Sequence, residues 1–349
     1  MKKVENFLSL FLMAMLCVAS FTACSSDSDP EEATPSATLP KFAEDAAKYE
    51  ITDDNAAVKS IELTESGQYI VIMNDANNKA KPFVLNASKA QRGIMTRVTD
   101  KGEFVGMYYG EYTKTSDGYY MLNDFGTVRI NKDDKGAVTS VTIHSNVSGS
   151  DWTCPARLYP KSNTDNARSL NICRTWNFEG INYVAKENGK TLGEINASNM
   201  KEFWTKMKNL DKKFTAEEGD KWTEEDEADY NAQIASAEAD PLQQFIFTMS
   251  GSWIIKTKNK TNIIPWRWRS ASSNELQAWL VDYDQNGDDM PQENEWKNLF
   301  FSGNSDETSG KTIARFDNGK LLLEDTESET DEDGYSRTRI FTLTFSEAK

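Results

Sequence analysis

Between residues 58 and 144 apolar and polar residues alternate in short segments, a period that gives a chain one buried face only if it runs as β-strand. Ile61 and Leu63, then Tyr69 and Val71, stand on either side of Ser66-Gly67 as two arms of a hairpin. Further strands are expected at 82–86, 104–112, 119–122, 127–131 and 138–144. Turn clusters such as Ser116-Asp117-Gly118 and Asp133-Asp134-Lys135-Gly136 separate them. With no helix between them, strands at this spacing imply an antiparallel sandwich or barrel. A short helical patch over 42–49 is expected to cap this first β-module, which spans 53–150.

The stretch 145–170 carries Ser, Asn and Pro and reads as a connection. A second module, 171–349, opens with a strand over 176–184 and then changes period. Met200, Phe203, Trp204 and Met207 fall at i, i+3, i+4 and i+7 and share one helical face. Thr223, followed by Glu224, Glu225 and Asp226, has the form of a helix start, and Asp240-Pro241 that of a stop. Helices are therefore predicted at 197–210 and 224–239, inserted between the first and second strands and packing across one end of the module. The opposite end, near 283–295, is expected to be open. Strands resume at 245, with Asp317-Asn318-Gly319 as the clearest hairpin turn. The fold class expected is mainly β, in two antiparallel barrels or sandwiches, the second with a two-helix insertion.

Upstream of both modules, Lys2 and Lys3 precede an apolar run from Phe7 to Phe21, followed by Thr22-Ala23-Cys24. A short positive region, an apolar stretch too short for a comfortable bilayer span and a small residue before cysteine resemble a bacterial lipoprotein signal. Residues 1–23 would be removed and Cys24 lipidated, with 24–52 as an acidic tether. Each buried acyl methylene contributes ~0.8 kcal/mol, so two or three chains anchor a domain durably. The net charge of −16 argues against nucleic-acid binding, which needs clustered Lys and Arg.

The two β regions resemble each other. The segment 61–72 aligns with 245–256, matching Thr64, Ser66, Gly67 and Ile70 to Thr248, Ser250, Gly251 and Ile254. Further on, 126–130 is similar to 319–323, and 141–143 to 343–345. The Thr-Xaa-Ser-Gly-Xaa-aromatic opening, Arg174-Thr175-Trp176, Trp266-Arg267-Trp268 and the closing Thr-Leu-Thr-Phe resemble lipocalin-like surface lipoproteins of the Bacteroidota. The resemblance is best over 171–349 and weaker over 53–145. It implies small β-barrels on a lipid anchor at the outer membrane. The acids after Cys24 resemble the export signal such bacteria use, which implies the cell surface more than the periplasmic face.

Little in the chain carries chemistry. Asp282, Asp284, Asn286, Asp288 and Glu293 satisfy a calcium-loop pattern, with Gly287 at the sharp turn. Against this, Asp289 stands where an apolar residue is expected, Pro291 interrupts the loop and no second loop exists. A solvated acidic hairpin is the favoured reading, and bound Ca2+ the alternative. Five of the nine tryptophans lie between 253 and 296. Trp253, Trp266, Trp268 and Trp279 read first as barrel core or mouth, and second as a platform for a sugar ring or apolar ligand. Cys154 and Cys173 lie 19 positions apart and are expected to form a disulfide, worth about 3 kcal/mol for such a loop; two free thiols are the alternative. His144 is the only histidine, and no Gly-Xaa-Ser-Xaa-Gly elbow occurs. The sequence thus predicts a membrane-tethered, non-enzymatic binder of a small apolar or sugar-like ligand. The competing expectation is an adhesion or glycan-binding surface module, calcium-dependent if the loop is occupied.

Overall fold

The computed structural model describes residues 45–74, 93–98, 104–146, 149–159, 164–217, 219–270, 272–279, 296–297, 311–330 and 334–348. The first sheet comprises β1 (Lys48–Ile51), β2 (Val58–Leu63), β3 (Gln68–Met73), β4 (Gly93–Val98), β5 (Phe104–Lys114), β6 (Tyr120–Leu122), β7 (Gly126–Lys132), β8 (Val138–Ser145) and β9 (Ser150–Leu158). Strands pair antiparallel with their chain neighbours except that β3 skips β4 to pair β5, and β1 also pairs β9. Eight strands therefore close into an up-and-down barrel, with β4 attached along the outer half of β5. Its interior is filled by Tyr49, Ile61, Leu63, Tyr69, Val71, Tyr112, Tyr120, Phe125, Val128, Val141 and Ile143, the inward phase of the alternation.

A short helix, α1 (Thr164–Ile172), leads into the second sheet. Its strands are β10 (Thr175–Glu187), β11 (Lys190–Ala197), β12 (Leu242–Phe247), β13 (Ser252–Thr257), β14 (Thr261–Trp268), β15 (Glu275–Trp279), β16 (Trp296–Lys297), β17 (Lys311–Asp317), β18 (Lys320–Thr330) and β19 (Ser336–Glu347). Pairing of β10 with both β12 and β19 closes a second ring of eight, leaving β11 and β16 outside it. Between β11 and β12 stand α2 (Met200–Glu217) and α3 (Glu224–Ala239). The α3 start is a capping box, in which Thr223 accepts from the Asp226 amide and Asp226 accepts from the Thr223 amide. Asn318 and Gly319 both have positive φ, 49° and 77°, as a two-residue hairpin turn between twisted strands requires.

Several expectations are corrected. Residues 48–51 form β1, not part of a helical patch, and Tyr49 inserts into the first barrel. Residues 150–158, expected as connection, form β9. Pro155 disguises this strand, but it sits opposite Ser140 and its carbonyl accepts from the Thr52 amide. The helices follow the second strand of their module, β11, and α2 extends to Glu217. Cys154 and Cys173 are free thiols, Cys154 within β9 of the first barrel and Cys173 packed on the core of the second. Residues 126–130 and 319–323 begin β7 and β18, whereas the order around the rings makes β7 the counterpart of β17. That part of the internal similarity is one strand out of step, as is the match of 141–143 to 343–345. The expected strand 82–86 and the acidic loop 282–293 lie outside the described residues.

The barrels pack side by side. Ile70, Ile72, Met107 and Tyr109 form one buried cluster with Ile246, Ile254 and Ile263. The Glu62 carboxylate, 5% exposed, accepts from the backbone amides of Met249 (2.6 Å) and Ser250 (2.7 Å) in the turn of the second barrel's first hairpin. A carboxylate buried on two amides keeps its charge compensated.

Candidate functional site

The inner wall of the second barrel changes character along its length. On β18 the inward residues are Leu321, Leu323, Asp325 and Glu327, all buried. Directly opposite on β19 stand Phe345, Leu343, Phe341 and Arg339. The wall is therefore apolar near the 317–320 turn and polar toward the far end. There the Thr312 hydroxyl donates to Asp325 Oδ2 at 3.0 Å, and Arg339 Nη1 donates to Glu327 Oε2 at 3.1 Å.

At the polar end α2 brings Phe203 against the rings of Tyr183 and Phe341, both edge-on, at 6.5 and 5.6 Å. Met200, Trp204 and Met207 join the same interior cluster, as their helical spacing predicts. Next to Arg339, Asp211 of α2 accepts from the Tyr230 hydroxyl of α3. Burial pushes the Asp211 carboxyl above its ordinary range, against the Tyr230 hydrogen bond and Arg339, which pull it down. Burial likewise pushes the Tyr183 phenol up to about 12. The strand ends Trp279 and Lys311 belong to this same end. Residues 283–295, expected to form the open end opposite the helices, lie outside the described residues.

The apolar end is aromatic and capped by α1. Trp253 stacks on Phe247 at 5.5 Å and 6°, while Trp266 meets Phe247 edge-on at 5.4 Å. Trp268 lies 5.6 Å from Trp266. The Trp268 indole donates to Ser169 Oγ at 3.0 Å, and the Arg168 guanidinium sits 4.1 Å from its ring. Arg168 also donates to the carbonyls of Ser270 and Ser273, and the Trp176 indole to that of Ile172 at 2.8 Å. Trp253 and Trp266 are 1% and 5% exposed, so they form an interior cluster and not an exposed strip. Trp279 stands opposite Trp296 in the β15–β16 register.

Hydrogen bonding separates the two barrels. In the first, Tyr69 donates to the Asn123 carbonyl, Tyr112 to that of Thr64 and Tyr49 to that of Asp45, at 2.6–2.7 Å. Tyr120 donates to the Asp45 carboxylate, which Lys132 (2.7 Å) and Lys114 (3.2 Å) also hold. Burial alone would raise the Asp45 pKa, but these bonds bring it to about 2. In the second barrel the indole N–H groups of Trp204, Trp253 and Trp266 are buried without a hydrogen-bond partner among the described residues. Such a donor costs ~1–3 kcal/mol unless water or another molecule accepts from it.

Outside the second barrel, a solvent-open groove of about 510 Å³ runs past the β10 bulge between Glu179, Asn182, Asn196, Glu202 and Lys320. It has no aromatic wall. His144 pairs with Asp151 at 2.5 Å on the exposed surface of the first barrel. Among the described residues no group of three or more His, Cys, Asp or Glu side chains could hold a metal ion. None of their helices is long and apolar enough to cross a membrane.

The polar half of the wall was missed from the sequence, although β18 carried a signal. Its alternation runs through Leu321 and Leu323 and continues in phase to Asp325 and Glu327. Comparison with known proteins adds no relative: no family model matches the chain, nor does any curated protein or solved structure.

Proposed function

We propose that this protein is a lipid-anchored lipoprotein of the outer membrane, held by Cys24 and displayed at the cell surface. On this reading its second barrel is lipocalin-like and binds a small apolar or sugar-like molecule without transforming it. One observation carries the reading: the second barrel buries three indole donors without partners among the described residues, while the tyrosines of the first barrel named above are satisfied. An eight-stranded barrel is wide enough either to be filled by side chains or to hold one small ligand. The first fits the filled case. In the second, apolar walls next to unpaired donors suit a ligand with an apolar body and acceptor oxygens.

The test is a thermal-shift screen of the mature protein against glycans, fatty acids and small metabolites, with intrinsic tryptophan fluorescence as a second readout. A ligand should raise the melting temperature of the wild type and bind at least tenfold more weakly to Trp266→Phe, which keeps a ring but removes the N–H, about the loss of one hydrogen bond. If both Trp253→Phe and Trp266→Phe bind as the wild type does, the indoles are core residues and the reading fails.

A further inference from the structure

The faces through which the two barrels meet are equivalent faces of the same fold. The first hairpin of each ring is closed by the same bonds. The Thr64 amide donates to the Gln68 carbonyl and that of Thr248 to Ser252, at 2.8 and 3.0 Å. The amides of Gln68 and Ser252 return to the hydroxyls of Thr64 and Thr248 at 2.9 and 3.0 Å. The next strand docks alike, with Tyr112 donating to the Gly67 carbonyl and Trp266 to that of Gly251, at 2.8 and 2.9 Å. These bonds make Ile70 the counterpart of Ile254, Tyr109 that of Ile263, and Glu62 that of Ile246.

In each barrel the three counterparts form one row across neighbouring strands. Glu62 is opposite Ile70 and Ile70 opposite Tyr109; Ile246 is opposite Ile254 and Ile254 opposite Ile263. Both rows meet at the buried contact between the barrels. Around them, Ser252 donates to Met107 Sδ at 3.5 Å, and Lys256, held below its usual range by burial, is drawn back toward it by Glu111. A patch that packs against its own counterpart is the mark of an isologous, two-fold contact.

We infer that the chain is a covalent pseudo-dimer, in which each barrel is the other's docking partner about an approximate two-fold axis. One position departs from that symmetry. Glu62 grips the amides of Met249 and Ser250, whereas its counterpart, Ile246, offers no acceptor to the matching amides of Glu65 and Ser66. The partner of the β12–β14 face is therefore the first barrel, and that face is closed to ligands and other proteins.

Symmetry predicts that the grip can be moved to the other turn. In the full-length mature protein, Glu62→Ile should lower the urea midpoint, and the double variant Glu62→Ile/Ile246→Glu should recover most of the loss. Hydrogen exchange gives a readout independent of overall stability. In Ile246→Glu alone, exchange at Glu65 and Ser66 should slow about tenfold or more, as expected for amides bonded to a carboxylate. In the double variant that protection should be present at 65–66 and lost at 249–250. An unchanged midpoint for Glu62→Ile, a double variant no more stable than Glu62→Ile, or unprotected amides at 65–66 in Ile246→Glu would each overturn the inference.

Discussion

Asp45 sits where the chain enters the first barrel, and removing its charge should loosen that end measurably. Its carboxylate takes hydrogen bonds from Lys132, Tyr120 and Lys114, which outweigh its burial and bring its pKa from the ordinary 3.8 to about 2. At 1.36 kcal/mol per pKa unit, that displacement corresponds to at most ~2.5 kcal/mol of stability. The Lys114 and Lys132 side chains are 35% and 40% exposed, so solvent screening reduces the figure to ~1–2 kcal/mol. The sign follows from the lowered value: the stabilisation is fully present above the unfolded-state pKa near 4 and is lost as pH falls toward 2. Urea unfolding of the wild type and Asp45→Asn, from pH 7 to pH 2.5, isolates it from the other carboxylates. The gap in unfolding free energy should be constant above pH 5 and shrink steadily below pH 4. A gap that stays constant to pH 2.5 would refute the argument, because the loss would then come from packing and not from charge.

Three further outcomes are expected. Cys24→Ala should move the protein from the detergent phase to the aqueous phase after partitioning; retention on membranes after a carbonate wash would contradict lipid anchoring. Phe203→Ala should destabilise the second barrel by ~3–5 kcal/mol, since its ring is fully buried against Tyr183 and Phe341; a melting temperature within a degree of the wild type would show that α2 does not seal the barrel. Unfolded without reductant, the protein should expose Cys154 and Cys173 as two alkylatable thiols; a mass showing neither alkylated would restore the bridge expected from the sequence.

The sequence was a good guide wherever one face of an element is buried and the other wet. The β2–β3 hairpin, the 104–144 strands and α3 fall close to where alternation, turn residues and the capping box put them. It was a poor guide where the alternation is broken for a tertiary reason. In β11 only Ile195 is buried, and Gly193 stands where a side chain would meet Leu210 of α2, a Cβ there coming within 2.7 Å of its methyl. That strand reads as loop because the helix needs the space. In β9 a proline sits on the outward phase. The tryptophans were recognised as core or site, but periodicity could not show which indole N–H groups find an acceptor. Trp268 gains its partner from Ser169, 99 positions away, while Trp266 on the same strand has none among the described residues.

The central claim, that the second barrel holds a ligand at its unpaired indoles, is tested most directly by the indole resonances of ¹⁵N-tryptophan-labelled mature protein. These are followed while a thermal-shift hit is titrated in. The N–H signals of Trp253 and Trp266 should move together and saturate, while that of Trp176, already bonded to Ile172, stays in place. If a bound ligand moves only Trp222 and Trp268 and leaves those two unchanged, the ligand sits on the outside of the molecule and the account is contradicted.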